Sequence, residues 1–321
     1  MKTKNSLTYS IKTELIKNWQ LYILLIIPVT YIVIFSYIPM LGLQIAFKSF
    51  RITQSIWQAP IHPQGVFYHF QRFLDDPRFW LIFENTIILS LYQLVVGAVM
   101  PLFLALVIHN VVSRRFKKTV QFITYAPHFI SMVVMIGILM QILDFRFGVL
   151  NNARFGLGLS RINYIAQEGM FRHLFVWSGV WQNTGYGAII YLAALSGIDP
   201  QLHEAAIVDG AGKLKRMMYI DIPGILPTFI ILSILAVGNM LELGFTKAFL
   251  LMNPLNIGRS QIIDTFIFTM GLGGGIPGAS GASIPDYSYA TAIGMTRSIL
   301  SLVLIVSVNK LSRKVTETSL W

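Results

Sequence analysis

Residues 199–228 read DPQLHEAAIVDGAGKLKRMMYIDIPGILPT, a polar insert between two apolar runs, Leu174–Ile198 before it and Ile222–Leu241 overlapping its end. Asp199-Pro200 stops the first run and opens a helix, because Asp caps an N-terminus and Pro suits the first helical turn. Glu204-Ala205-Ala206 extends that helix with small residues and a single carboxylate. Asp209-Gly210-Ala211-Gly212 then breaks it, since glycine accepts the left-handed turn that ends a helix. Lys213 to Tyr219 is a second short helical piece, and Ile222-Pro223 starts the next apolar run. The segment therefore predicts a compact knob, a short helix and a turn, between two hydrophobic helices.

Four more apolar runs surround this pair: Leu21–Phe47, Asn85–Ile108, Thr119–Leu143 and one from about Tyr287 to Asn309, interrupted by Arg297. Each of the six is about as long as a helix must be to cross roughly 30 Å of hydrocarbon. The alternation of a barrel strand is absent, so the expected fold is an all-α integral membrane protein with six transmembrane helices. Composition agrees. Of 321 residues, 55% are hydrophobic and only 12% charged, about half the charge of a soluble domain. A soluble enzyme, a disulfide-stapled module and a disordered chain are all excluded on that count. The absence of cysteine removes disulfides, thiolate nucleophiles and cysteine-held metals; no metal ligand set and no catalytic residue is predicted.

Basic residues orient the chain. With the N-terminus in the cytoplasm, the inner segments 1–20, 110–118, 199–221 and 310–321 hold 14 Lys and Arg in 64 residues. The outer segments 48–84, 144–173 and 242–286 hold 10 in 112, as the positive-inside rule requires. The short loop with Arg114, Arg115, Lys117 and Lys118 votes most strongly. Both termini are expected inside, with the protein multi-pass in the cytoplasmic membrane. The domain reading is residues 1–20 as a cytoplasmic segment, 21–309 as the membrane domain with its loop at 199–223, and 310–321 as a cytoplasmic tail.

Leu7, Ile11, Leu15 and Trp19 recur every four residues, which fits either an amphipathic surface helix or a basic tail. The first apolar run is too long for a secretion signal and lacks a small-x-small cleavage site, so it reads as a retained anchor. Segment 48–84 is rich in aromatics, among them Trp57, Phe73, Phe79 and Trp80, expected in an interfacial belt or a small packed cap. Gly271–Ser283 is glycine-rich and reads as a mobile outer loop. Gly210-Ala211-Gly212-Lys213 is not a nucleotide loop, because Ile207 stands where the first glycine is needed and Leu214 where Mg²⁺ needs a hydroxyl.

With these residues in place, a resemblance becomes specific. Glu204-Ala205-Ala206, then Gly210, Ile220, Ile222 and Pro223 at their spacing, resemble the coupling-loop signature of permeases in binding-protein-dependent ABC importers. Ile222 stands where that family usually has Leu. Further segments in matching order are Phe35–Phe47, Phe79–Leu91, Ala126–Ser131, Asn253-Pro254, Ile262–Phe268 and Tyr289–Gly294. They are most similar to the carbohydrate branch, especially permeases for complex oligosaccharides. The resemblance implies a type I importer permease fold. It also implies that Glu204, Ala205, Ala206, Asp209 and Gly210 dock on a separate ATPase subunit, which binds the ATP and Mg this chain does not. The implied partners are a second permease subunit, in carbohydrate systems of this type usually a different chain, two ATPase subunits and an extracytoplasmic solute-binding protein, with no nucleic acid.

Polar groups inside spans tend to face a cavity or a partner. The fourth run carries Trp181, Gln182, Asn183 and Tyr186, amides and aromatic faces of the kind that bind sugars, in register with the sugar-contacting segment of maltose-type permeases. Asn239 occupies the comparable stretch of the fifth run. Helix–helix hydrogen bonding is the other reading of such residues. Arg297 lies deep in the last run, where an unpaired charge costs at least about 2.5–3.5 kcal/mol. Three partners are open to it: an anionic, uronate-type saccharide, an acidic residue of a partner permease, or backbone carbonyls at a subunit interface. The expected function is ATP-driven import of oligosaccharide by alternating access. A permease for a non-sugar solute and an ion-coupled secondary carrier are the alternatives.

Overall fold

A computed structural model describes residues 17–273 and 284–316, with side chains described as far as Lys310. Most of the expected N-terminal surface helix, residues 274–283 of the glycine-rich stretch and the last residues of the tail lie outside these. The described part is helical, without a strand; one isolated bridge joins Lys48 to Ile61. It falls into two units, the first ending at Tyr68 and the second beginning at His69.

In the first unit, α1 (Trp19–Ile32) continues through a wide turn at Val33–Tyr37 into a tighter helix ending at Phe47. Together they form one apolar rod of 29 residues. Residues 19–41 are nearly all exposed within the unit, Leu24 and Ile27 among the most. A helix apolar on all sides is what lipid or a neighbouring chain accommodates. Below it Lys48 ties back to Gln44 Oε1 at 2.7 Å and to the Ile56 carbonyl at 3.0 Å.

The second unit is built on two long helices, α3 (Phe79–His109) and α7 (Glu168–Ser196), packed along each other. Around them run α2 (Tyr68–Leu74), α4 (Arg114–Tyr125), α5 (Met132–Leu143), α6 (Val149–Gly156), α8 (Pro200–Val208) and α9 (Lys213–Arg216). Then come α10 (Ile222–Gly238), α11 (Phe245–Leu251), α12 (Ile257–Ser260), α13 (Ile263–Gly271) and α14 (Tyr287–Thr316). Three apolar clusters hold them. Leu89, Met135, Phe175 and Leu251 join α3, α5, α7 and α11; Phe73, Ile82, Phe266 and Tyr289 join α2, α3, α13 and α14; Ala105, Tyr191, Leu195 and Ile225 join α3, α7 and α10. The aromatic segment divides: Phe73 stacks into the second cluster and meets the Phe79 ring edge-on at 5.1 Å, whereas Trp57 and Trp80 stay exposed.

Among the described residues, four helices are long and apolar enough to cross a membrane: Trp19–Phe47, Phe79–His109, Lys213–Gly238 and Tyr287–Lys310. The third apolar run of the sequence is not one straight rod. Arg114–Phe129 and Met132–Leu143 meet at 103°, because Pro127 sits in a tight 3₁₀ turn, Ile130 is extended and Ser131 caps the next helix from its hydroxyl. The fourth run forms α7, as long as the others but more polar. The last run stays helical to Thr316, seven residues past its predicted end at 309.

Candidate functional site

The knob forms as its residues dictate. Asp199 caps α8, its Oδ1 accepting from the Gln201 amide at 2.9 Å. The helix ends where Gly210 adopts φ +79°: the Gly210 amide donates to the Ile207 carbonyl at 3.0 Å and the Ala211 amide to that of Ala206 at 2.8 Å. That pair of bonds is the Schellman closure, and a residue with a Cβ resists the left-handed turn it needs. Glu204, Ala205, Asp209 and Gly210 are exposed and Ala206 is half-buried. Leu202, Ile207 and Val208 add exposed apolar surface to the same short helix.

One side of α8 is tethered. His203 points its Nε2 at Asp221 Oδ1, 3.2 Å away, and Asp221 is fully buried at the start of α10. Asn110, just beyond α3, donates to Asp221 Oδ2 at 3.2 Å. With His109 alongside, the ligand atoms of His109, His203 and Asp221 lie within 4.8 Å of one another. This clasp joins the knob to the ends of α3 and α10.

Between α3, α7, α10 and α11 lies a cavity of about 490 Å³, within the roughly 300–1,000 Å³ range of small-molecule sites. Asn183 and Asn239, two of the expected pathway residues, line it together with Thr184, Tyr191 and Glu242. Its wall also carries polar atoms that find no partner among the described residues: the buried Ser90 hydroxyl, Gln93 Oε1 and the Ser233 hydroxyl. Such atoms carry a desolvation cost unless something polar enters.

The other expected pathway residues stand elsewhere. Gln182 is buried and donates from Nε2 to the Ile130 carbonyl at 2.7 Å, bracing the bend between α4 and α5. Tyr186 is stacked on His128, their rings 3.9 Å apart, and His128 in turn bonds Asn183 Oδ1 at 3.0 Å. Trp181 is about half exposed on the outside of α7. Arg297 finds its counter-charges within its own chain: Nη1 bonds Asp264 on α13, and Nη2 is 3.7 Å from Glu242. The sequence offers no such partner, because neither carboxylate lies within an apolar run.

Lys247 escapes sequence reasoning altogether. It lies on α11, outside the apolar spans, yet is only 4% exposed. Burial pushes its ammonium down to about 8. A lysine in a segment read as an outer loop carries no signal that it will be folded under α7.

Comparison with known proteins adds a family match, two relatives and two solved structures. The model of the family described as binding-protein-dependent transport system inner membrane component matches residues 97–317. The chain is 34% identical over 312 residues to the polygalacturonan/rhamnogalacturonan transport system permease protein YteP of Bacillus subtilis (strain 168), covering 96% of this chain and 92% of that one. It is 35% identical to Protein LplB of the same organism, over 94% and 91% of the two chains. Among solved structures, a bacterial ABC transporter involved in the import of the acidic polysaccharide alginate superposes with a TM-score of 0.83 at 34% identity, over 96% of this chain and 99% of that one. An alginate ABC transporter in complex with alginate pentasaccharide-bound periplasmic protein gives 0.84.

Proposed function

The chain belongs to the binding-protein-dependent transport system inner membrane components, and on that footing we propose that it is the permease through which an ABC importer brings acidic oligosaccharides across the cytoplasmic membrane. The observation that carries the transport role is the exposed, Schellman-closed helix α8, tethered at His203 and Asp221 to the helices that wall the cavity. A small-residue helix with one outward carboxylate suits a groove in another protein, where Glu204 would set its register. A self-sufficient carrier has no use for such a knob. Nor does the chain offer the Gly-Lys loop for a nucleotide, so ATP and Mg are held by a partner ATPase.

The substrate class is supported by the relatives, one named for polygalacturonan and rhamnogalacturonan transport and one for alginate import, all of them uronate-containing polymers. In this reading the chain crosses the membrane six times, with both termini inside, and α7 and the bent α4–α5 pair count as crossings. It pairs with a second permease to enclose the pathway, receives cargo from an extracytoplasmic binding protein and rocks between inward- and outward-open states when two ATPase subunits close on the coupling helices. The cavity between α3, α7 and α10 is the part of the pathway this chain supplies.

The test is uptake of labelled oligogalacturonate by cells that carry or lack this chain, its partner subunits kept intact. Loss of uptake on deletion, with return on re-expression, is the expected result. Unchanged uptake in the deletion strain overturns the reading.

A further inference from the structure

Resting on the acidic-oligosaccharide reading, we propose that Lys247 is the carboxylate-binding residue of the cavity, its ammonium receiving a uronate group of the passing saccharide. The side chain is 4% exposed and forms part of the cavity wall. Its Nζ sits 3.8 Å above the centre of the Phe175 ring. An aromatic face steadies a cation without neutralising it. Gly179 makes the room, since a Cβ at that position would come within 2.7 Å of Nζ.

Among the described residues, no carboxylate lies within 4 Å of that Nζ and no hydrogen bond engages it. A buried charge without a partner is costly and rare. An uncharged chain of the same length would fill the space without that cost, and an anion entering the cavity would supply the counter-charge that the Phe175 ring does not. Arg297 differs: it is held by Asp264 and Glu242, two carboxylates already present. Lys247 instead lines a cavity whose wall also carries Ser90 Oγ and Gln93 Oε1, atoms with no partner among the described residues. A cation, a hydroxyl and an amide oxygen on one cavity wall suit a uronate, with its carboxylate and its hydroxyls.

Purified assemblies of this chain with its partner permease and ATPase subunits provide the test. Trigalacturonate and its fully methyl-esterified form are added directly, without binding protein, to wild type, Lys247→Met and Lys247→Arg. Lys247→Met is expected to weaken binding of the acid by about tenfold or more while leaving the ester unchanged. Lys247→Arg retains most of the affinity. The melting temperature of the Met variant does not fall, because an unpaired buried charge has been replaced by an apolar chain of similar length. Equal weakening of acid and ester, no weakening of either, or failure of the Met variant to assemble would each assign Lys247 to structure or to a subunit contact and overturn the proposal. Should wild type bind neither compound, or the ester alone, the acidic-oligosaccharide reading itself fails and this one with it. A wild type that binds the acid confines any failure to the lysine.

Discussion

Arg297 shows how a charge is tolerated within an apolar helix. Its guanidinium bonds Asp264 and lies 3.7 Å from Glu242, and Asp264 is itself mostly covered, with 10% of its side chain exposed. Removing one partner of such a pair strands the other away from water. Arg297→Gln is expected to cost about 2 kcal/mol of stability, and Asp264→Asn a similar amount. In the double variant the two losses should not add, which unfolding of all three proteins in detergent checks. Strict additivity would mean that the pair does not couple. Asn85 makes the same point with neutral groups. Buried on α3, it donates to the Gly258 carbonyl at 2.9 Å and the Gln261 carbonyl at 3.2 Å, and it accepts from Arg172 at 2.9 Å. A single amide thus pins the turn before α13 to the central helix, and the motif that contains it is legible in the sequence while its partners, more than eighty residues away, are not.

Helices here approach as closely as their smallest residues allow. A Cβ placed on Gly185 of α7 would lie 2.0 Å from the Thr124 carbonyl oxygen of α4, so the two backbones are in contact. In lipid, where apolar burial does little to drive helices together, such contacts are a principal source of cohesion. Gly185→Ala forces α4 and α7 apart and is expected to destabilise the protein by about 2 kcal/mol. Gly97→Ala on α3, where a Cβ meets nothing, is the matched control, and its melting temperature in detergent should stay close to wild type. The bend between α4 and α5 belongs to this scale too. Pro127 and Ser131 supply the local break behind the 103° angle, and Gln182 from α7 satisfies the Ile130 carbonyl that the break frees.

At the scale of the whole molecule, the role proposed for the knob is to pass force between a partner ATPase and the membrane domain. Glu204→Lys reverses the one outward carboxylate of the Glu-Ala-Ala turn without touching the His203–Asp221 clasp. Transport should fall by about tenfold or more, with the permease present in the membrane at its usual level, measured by uptake and by immunoblot. Wild-type uptake in that variant would contradict docking through this helix. The orientation is equally testable, because a chain without cysteine accepts single reporters cleanly. Lys118→Cys should be labelled by a membrane-impermeant maleimide only from the cytoplasmic side, and Ser160→Cys only from the outside. The reverse pattern would invert the topology.

Membrane residence, an all-helical fold and the short helix and turn of the knob were decided by the sequence alone. Long uncharged runs, basic clusters beside them, and the Asp-Pro and Gly punctuation of residues 199–223 act through local physics: partition into lipid, helix capping and the left-handed turn. That the amides of Asn183 and Asn239 need a polar setting was also legible, since an amide within a span cannot be left facing lipid; which setting each one finds was not. The tertiary structure alone decided the rest: that Gln182 braces a bend, that Arg297 is answered by Asp264, and that Lys247 is folded under α7 against Phe175. Those outcomes depend on contacts between residues tens of positions apart, and no spacing along the chain records which helix will come to lie against which.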